Sequence, residues 1–216
     1  MIGLGPIGDM CCRVARHRGA ANVIGIDLVD ARLERAAARG VTTIDARRFD
    51  DDAGLVDAVR DLTGGRGPDA VIDAVGMEAH GSPIAAAAHA ATMLMPRPLA
   101  SRLMLRAGVD RLAALHLAIE LVRRGGTISV IGVYGGMTDP MPMMTMFDKQ
   151  VQIRMGQANV RRWVAAMLPV VLDDSDPLGL EQFATHRAPL EAAPEAYSKF
   201  QSREDGTVKV LFQPGT

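Results

Sequence analysis

The sequence lacks an excess of charge of either sign, and it lacks an apolar run long enough to cross a bilayer. Lys and Arg together number 24 against 25 Asp and Glu, which gives a formal net charge of −1. No surplus of positive charge is present for a phosphate backbone or an anionic membrane. The most apolar stretch, 83–95, contains His89 and falls short of the roughly 20 residues that a spanning helix needs. Nucleic-acid binding and membrane insertion are therefore not expected.

Metal-ligand patterns and a secretory leader are also missing. Cys11 and Cys12 are the only cysteines and are neighbours in sequence, which disfavours a structural disulfide, and we interpret both as small buried or half-buried side chains. No H-x-x-x-H pair and no C-x-x-C motif is present, so no zinc site is expected. The N-terminus has no leading positive charges and contains Asp9, which favours a cytoplasmic protein over a secreted one. The histidines are scattered: His17, His80, His89, His116 and His186.

What the sequence does contain is an alternation of short β-branched runs with longer helical stretches. This alternation is typical of the α/β class and predicts a doubly wound parallel sheet buried on both faces. Strands are expected at 22–26, 41–44, 70–73, 127–131 and 151–155, and helices at 9–18, 31–39, 55–62 and 109–124.

Two segments depart from the alternation. Residues 77–108 form a connection far longer than an ordinary strand-to-helix loop, which predicts an insertion or lid. The tail after Gln157 is expected to contain a helix at 161–172, a short helix at 194–201 and a strand at 207–212. We therefore predict a domain over 1–157 and a C-terminal extension over 158–216.

A glycine-rich loop opens the chain. Gly3, Gly5 and Gly8 fit the pattern G-x-G-x-x-G, in which the glycines allow a tight turn, close approach of a pyrophosphate, and close packing of helix and strand. Asp27 ends the next predicted strand, where a carboxylate accepts hydrogen bonds from ribose hydroxyls and repels a 2′-phosphate. Arg32 is interpreted either as a neighbour of the adenosine or as a solvated helix arginine. The combination predicts a dinucleotide-binding domain that prefers NAD.

Five motifs, GLGPIG, VIGID, VIDAVG, RRGGTISVIGVYGG and RMGQANVRRW, together resemble the zinc-containing medium-chain alcohol dehydrogenases. Within that family they are most similar to the glutathione-independent formaldehyde dehydrogenase branch, and the resemblance covers nearly the whole chain. It implies a Rossmann fold and NAD-linked oxidation of a small alcohol or aldehyde, with zinc polarising the substrate. It also implies association of subunits through a sheet edge.

The resemblance assigns cofactor contacts to individual positions of this sequence. The pyrophosphate would be held by the residues of the glycine loop: Gly3, Gly5, Pro6, Ile7 and Gly8. Asp27 and Arg32 would bind the adenosine ribose, and Val75 would form a wall against the adenine or ribose. Gly132 and Val133 would hold the nicotinamide carboxamide, Gln157 would lie near the cofactor, and Lys209 would contact the pyrophosphate. His80 is a weaker candidate near the insertion, and a surface loop histidine is the alternative interpretation.

The chain departs from the family pattern at its front. The family's zinc ligands and proton relay precede the glycine loop, and the first strand is here reduced to Met1 and Ile2. No catalytic or metal-binding residue is therefore assigned. Two hypotheses stay open: part of an enzyme that is active only with the missing zinc domain, or a stand-alone dinucleotide-binding module. An S-adenosylmethionine-type Rossmann protein is disfavoured by the nicotinamide-side motifs.

Two apolar segments carry expectations of their own. The methionine-rich stretch 137–147 is interpreted as apolar packing or a subunit edge rather than a soft-metal site. The strand residues Val208, Val210, Leu211 and Phe212 are expected to form an exposed apolar patch, because in the resembling enzymes this tail packs on the zinc domain.

Overall fold

A computed structural model describes residues 1–75, 112–134, 141–202 and 206–215 of the chain. These residues belong to two compact units. The first unit comprises Met1–Gly3 and Ala46–Gly156, and the second comprises Leu4–Asp45 and Gln157–Thr216. The expected insertion, 77–108, and His80 within it lie outside the described residues. The expected domain boundary after residue 157 stays a prediction.

Seven helices and seven strands are found in the described part of the chain. In chain order they are α1 (Pro6–His17), β1 (Ile24–Asp27), α2 (Asp30–Ala37), β2 (Thr42–Asp45), α3 (Asp52–Asp61), β3 (Ala70–Asp73), α4 (Ala113–Leu121), β4 (Thr127–Val130), α5 (Met143–Lys149), β5 (Gln152–Met155), α6 (Val160–Val171), β6 (His186–Pro189), α7 (Ala193–Ser202) and β7 (Val210–Gln213). Short 3₁₀ turns cover Ala46–Arg48 and Leu190–Ala192.

The first unit contains a parallel sheet in the order β3-β4-β5. Ile2 forms an isolated parallel bridge with Asp73, in which the Ile2 N–H donates to the Ile72 carbonyl and the Ala74 N–H donates to the Ile2 carbonyl. Val71 of β3 and Ile128 of β4 are buried, but burial alternates along both strands, and three of the four residues of β5 are exposed. The expected burial on both faces is therefore wrong for β5 and only partly correct for β3 and β4. Ile2 thus pairs with β3 as an isolated bridge at the position of the predicted first strand.

The second unit contains two parallel strand pairs, β1 with β2 and β6 with β7. Leu4, which follows the bridge residue Ile2 by two positions, is buried on Gly25 of β1. A Cβ on Gly25 would stand 2.8 Å from Leu4 Cδ2. The absence of a side chain at Gly25 therefore lets the glycine loop pack closely on β1.

All five strands predicted for the alternating region are present, and all pair in parallel, which confirms the α/β class. The first helix begins at Pro6 instead of Asp9, because proline suits the first helical position, where no N–H is required. Neither α5 nor β6 was predicted. β6 has no β-branched run and forms only by pairing with β7, 24 residues away in register.

The expected apolar patch on the final strand is only partly correct. Val208 is buried, whereas Leu211 is exposed. The larger exposed apolar surface lies on α6, where Trp163, Leu168 and Val171 are each about half exposed. None of the residues of α6 is buried.

The methionine-rich segment is exposed where the structure describes it. Met143, Met144 and Phe147 of α5 are more than half exposed, so the expected apolar packing is wrong for these side chains. A subunit edge stays a prediction. No helix among the described residues is long and apolar enough to cross a bilayer.

Candidate functional site

The glycine loop runs directly into α1 and leaves the start of this helix open. Gly5 is the N-cap, it provides no side-chain acceptor, and Pro6 occupies the first turn. The Asp9 N–H donates to the Gly5 carbonyl, but no described residue accepts a hydrogen bond from the N–H of Ile7 or Gly8. Free N–H groups at the positive end of a 12-residue helix form a ready site for an anion such as a pyrophosphate.

Asp27, the last residue of β1, holds the backbone around this loop. Its Oδ2 accepts a hydrogen bond from the Leu4 N–H at 2.6 Å, and its Oδ1 accepts from the Leu28 and Val29 N–H groups at 2.7 and 3.0 Å. A carboxylate offers about four acceptor directions. Three are taken by backbone donors, so one direction on Oδ2 is left for a ribose hydroxyl.

Arg32 lies near the same carboxylate oxygen. Its guanidinium Nη1 is 3.7 Å from Asp27 Oδ2, and its side chain is mostly buried. The same guanidinium lies near Gly5, where a Cβ would come within 3.8 Å of Nη1. Arg32 is therefore placed at the loop rather than in solvent. A ribose hydroxyl and Arg32 would share Asp27 Oδ2.

A second group of site residues lies in the first unit, at the ends of β3 and β4. Gly3 has a φ of +83°, and a Cβ there would stand 2.7 Å from Val75 Cγ2. This conformation and this contact both require glycine. The first glycine of the motif is therefore in direct contact with the predicted adenine or ribose wall.

Gly132 and Val133 follow β4 and are exposed to different degrees. The Gly132 N–H donates to the Asp73 carbonyl at 2.9 Å, while the Val133 side chain is 74% exposed. No described residue pairs with the Gly132 carbonyl or with the Val133 N–H. These two groups belong to one trans peptide bond and point in opposite directions, so a single carboxamide could pair directly with only one of them. The role of Gly132 and Val133 stays a prediction.

The two remaining predicted residues, Gln157 and Lys209, are exposed. The backbone of Lys209 is bound to Thr185, whose Oγ1 accepts from the Lys209 N–H and donates to the Lys209 carbonyl. Within the described part of the second unit, neither side chain forms a hydrogen bond with the glycine loop. Their roles stay predictions.

The described residues do not gather a metal site. No three His, Cys, Asp or Glu side chains among them lie close enough together to hold a metal ion. Cys12 is buried, and its burial raises the thiol pKa to about 11. A thiol with so high a pKa is a poor metal ligand and a poor nucleophile at neutral pH.

Sequence reasoning missed a buried charge network next to the loop. Asp9, in the first turn of α1, is paired with Arg13 at 2.7 Å and with Arg35 of α2 at 3.1 Å. Arg13 also donates to the carbonyls of Leu178 and Gly179. The i,i+4 spacing of Asp9 and Arg13 was a local signal for this pair, whereas Arg35 and the carbonyls have no signal in the sequence.

Comparisons with known proteins agree on one family. The family model described as zinc-binding dehydrogenase matches residues 6–95. An uncharacterized zinc-type alcohol dehydrogenase-like protein of Bacillus subtilis is 32% identical over 214 residues, which are 99% of this chain and 52% of that protein. Formaldehyde dismutase of Pseudomonas putida is 30% identical over 211 residues, which are 92% of this chain and 47% of that protein.

A solved structure gives the same result. The alcohol dehydrogenase TADH of Thermus sp. ATN1 matches with a TM-score of 0.75 and 33% identity, over 99% of this chain and 51% of that one. The chain thus spans about half the length of the relatives that it matches. The expected Rossmann-type α/β fold is confirmed.

Proposed function

Because this chain belongs to the zinc-type alcohol dehydrogenase family, we propose that it is the NAD-binding part of an oxidoreductase that acts on a small alcohol or aldehyde. One observation in the second unit carries the proposal: the start of α1 has free N–H groups, and the carboxylate of Asp27, at the end of β1, lies beside the same loop. The N–H groups of Ile7 and Gly8 suit a pyrophosphate, and Asp27 Oδ2 suits a ribose hydroxyl.

The chain's own residues would bind and orient the cofactor. The proposal assigns the pyrophosphate to the start of α1 and the ribose to Asp27; the family resemblance alone extends it to Gly132 and Val133 for the carboxamide. The bound nicotinamide supplies the hydride-accepting chemistry.

The family's zinc does not fit the residues described here, since they include no cluster of three suitable ligands. We derive no step through zinc. We propose that this chain by itself binds NAD without oxidising an alcohol. Zinc analysis after dialysis, combined with an NAD-reduction assay on short alcohols and formaldehyde, tests this point. Stoichiometric zinc with turnover would contradict it.

The substrate proposal is a small aldehyde of the formaldehyde class. It is supported by the resemblance of the motifs and by the 30% identity to formaldehyde dismutase. Supplying the zinc-domain half of a relative as a separate polypeptide should restore turnover, with formaldehyde preferred over longer alcohols. Cofactor binding without restored turnover would favour the stand-alone dinucleotide-binding module.

Cofactor choice is tested by calorimetric titration with NAD and NADP. We expect NAD to bind more tightly, because Asp27 places a carboxylate where NADP carries its extra phosphate. The variant to test is Asp27→Asn, since it removes the charge while one side-chain oxygen can still accept a hydrogen bond from the backbone. It should weaken NAD binding by about 1–3 kcal/mol and narrow the preference over NADP.

A matched control is Asp57→Asn. Asp57 lies on α3, and its side chain is 73% exposed, so its amide should leave both affinities unchanged. Equal affinities for NAD and NADP in the unsubstituted chain would reject the assignment of Asp27. So would an unaltered NAD affinity in Asp27→Asn.

Self-association is the last part of the proposal. β5 ends the described sheet of the first unit, and three of its four residues are exposed. An open strand edge can pair with the same edge of another copy. Met155→Pro would remove an N–H from this edge and should lower the apparent mass in sedimentation equilibrium; an unchanged mass would remove this edge from the interface.

A further inference from the structure

A cleft of about 570 Å³ lies in the first unit, beside the segments that lead into β3, β4 and β5. The charged side chains of its wall are one carboxylate, from Glu120, and five cations, from Arg60, Arg66, Arg123, Arg124 and Lys149. The three strands run parallel, so their amino ends share one edge of the sheet. Ligands of open α/β sheets bind at the carboxyl ends of the strands. This cleft is therefore at the opposite end from a Rossmann-type cofactor site.

Two carboxylates orient the arginines without lining the cleft themselves. Asp69 accepts hydrogen bonds from Arg123 Nε at 2.6 Å and from Arg66 Nη2 at 3.4 Å. Asp148 accepts from both terminal nitrogens of Arg124, at 2.6 and 3.1 Å. Neither Asp69 nor Asp148 is part of the wall. Because Asp69 serves two arginines, one positive charge is left uncompensated there.

The arginines keep N–H groups that no described residue accepts. Arg66 donates only through Nη2, and Arg60 donates only through Nη1, to Asp57 at 3.2 Å. Arg123 donates through Nε and Nη1, which leaves Nη2. These guanidiniums therefore still have donors for the oxygen atoms of a second anion, in the planar fork geometry that suits phosphate.

Lys149, the last residue of α5, neutralises the negative end of α4 at the same cleft. Its Nζ donates to the carbonyls of Ile119 and Glu120, at 2.6 and 3.0 Å, and no described carboxylate forms an ion pair with it. Burial lowers the pKa of Lys149; Glu120 acts in the opposite direction, and the positive charges of Arg60 and Arg124 lower the pKa further. These guanidiniums repel the ammonium, and a bound anion would relieve that repulsion.

The charge and the size of the cleft define the ligand that it suits. The lining side chains and their ion-pair partners include five cations and four carboxylates, a net charge of +1 in a chain whose own formal net charge is −1. A volume of about 570 Å³ falls within the roughly 300–1,000 Å³ of small-molecule pockets. Since the cations come from three separate segments of the chain, linked phosphates can contact more of them than a single phosphate.

We infer that this cleft is a binding site for the diphosphate or triphosphate group of a small molecule. The site is separate from the cofactor site, since none of the residues assigned to the cofactor lines the cleft. The inference therefore stands independently of the proposed function.

The experiment titrates the whole chain with inorganic triphosphate in a calorimeter, at constant ionic strength, with and without saturating NAD. We expect one triphosphate per chain, bound equally well in both conditions. Arg66→Gln removes a cation whose side chain is 64% exposed, so the fold should be kept. This variant should weaken triphosphate binding roughly fivefold to tenfold and leave the NAD affinity unchanged.

Lys149→Gln is the second variant, which removes the cation without a carboxylate partner and should cause a similar loss. The matched control is Arg154→Gln, because Arg154 is exposed on β5 and does not line the cleft; triphosphate affinity should be unchanged there. Equal triphosphate affinities in all three variants would overturn the inference. So would the absence of binding to the unsubstituted chain, or displacement of triphosphate by NAD. Tighter binding of a single-stranded oligonucleotide than of triphosphate would overturn the assignment to a small molecule.

Discussion

Replacing Asp9 by Asn should destabilise this protein more than any comparable surface change. The side chains of Asp9 and Arg13 are each only 3% exposed, and they are joined by two hydrogen bonds of 2.7 and 3.1 Å. Arg35 adds a third contact to Asp9 at 3.1 Å. Removing the carboxylate would leave the Arg13 guanidinium buried without its counter-charge.

The expected cost follows from that burial. Breaking a buried ion pair by neutralising one partner typically costs about 3–5 kcal/mol, because the other charge stays desolvated. For a chain of this size, each kcal/mol lowers the melting temperature by roughly 2–4 °C. The Asp9→Asn variant should therefore melt roughly 6–20 °C lower than the unsubstituted protein.

The matched control is again Asp57→Asn. Asp57 and Arg60 form an i,i+3 pair at 3.2 Å, but their side chains are 73% and 44% exposed. Such a surface pair contributes about 0–1 kcal/mol. Urea titrations followed by circular dichroism would give the free energy of unfolding of each variant, and thermal melting would provide the second measure.

A double variant, Asp9→Asn with Arg13→Met, separates loss of the pair from loss of packing. Because it removes both charges, it should lose less than the sum of the single changes, with a coupling of about 0.5–3 kcal/mol. If Asp9→Asn destabilised the protein no more than Asp57→Asn, the buried network would not be the source of stability at this position.

Three further predictions follow from local geometry. Gly25→Ala would press a Cβ into Leu4 and should lower the urea midpoint by the equivalent of about 1–3 kcal/mol. Gly67 has a φ of +86°, and a Cβ there would press against a backbone carbonyl, whereas Gly64 has a φ of +65° and open space around a Cβ. Gly67→Ala should therefore lower the melting temperature more than Gly64→Ala. Burial raises the pKa of Cys12 from 9.0 to about 11, so the neutral thiol contributes stability below pH 9 that is lost as pH rises to 11, about 3 kcal/mol. Denaturant titrations between pH 9 and pH 11 should show a smaller decline in the free energy of unfolding for Cys12→Ala than for the unsubstituted protein.

The sequence could predict the parts of this protein that depend on local pattern. The strands at β1 to β5 are short apolar runs between turn residues, and their length and spacing admit few alternatives to a parallel sheet. The existence of α1 was predicted, but its start at Pro6 was not, although the fixed φ of proline was a local signal for it. The position of Asp27 at a strand end beside the loop could be anticipated, because the strand end and the loop were both visible in the sequence.

Only the tertiary structure decided which side chains meet. Tyr134 donates to Asp73 across 61 positions, and Arg35 reaches Asp9 across 26. Asp27 looked like a free ribose ligand, yet three of its acceptor directions hold backbone N–H groups. Hydrophobic period and turn residues report on neighbours in the chain, whereas a buried carboxylate takes its donors from whatever segments the packing brings to it, and no local pattern encodes that choice.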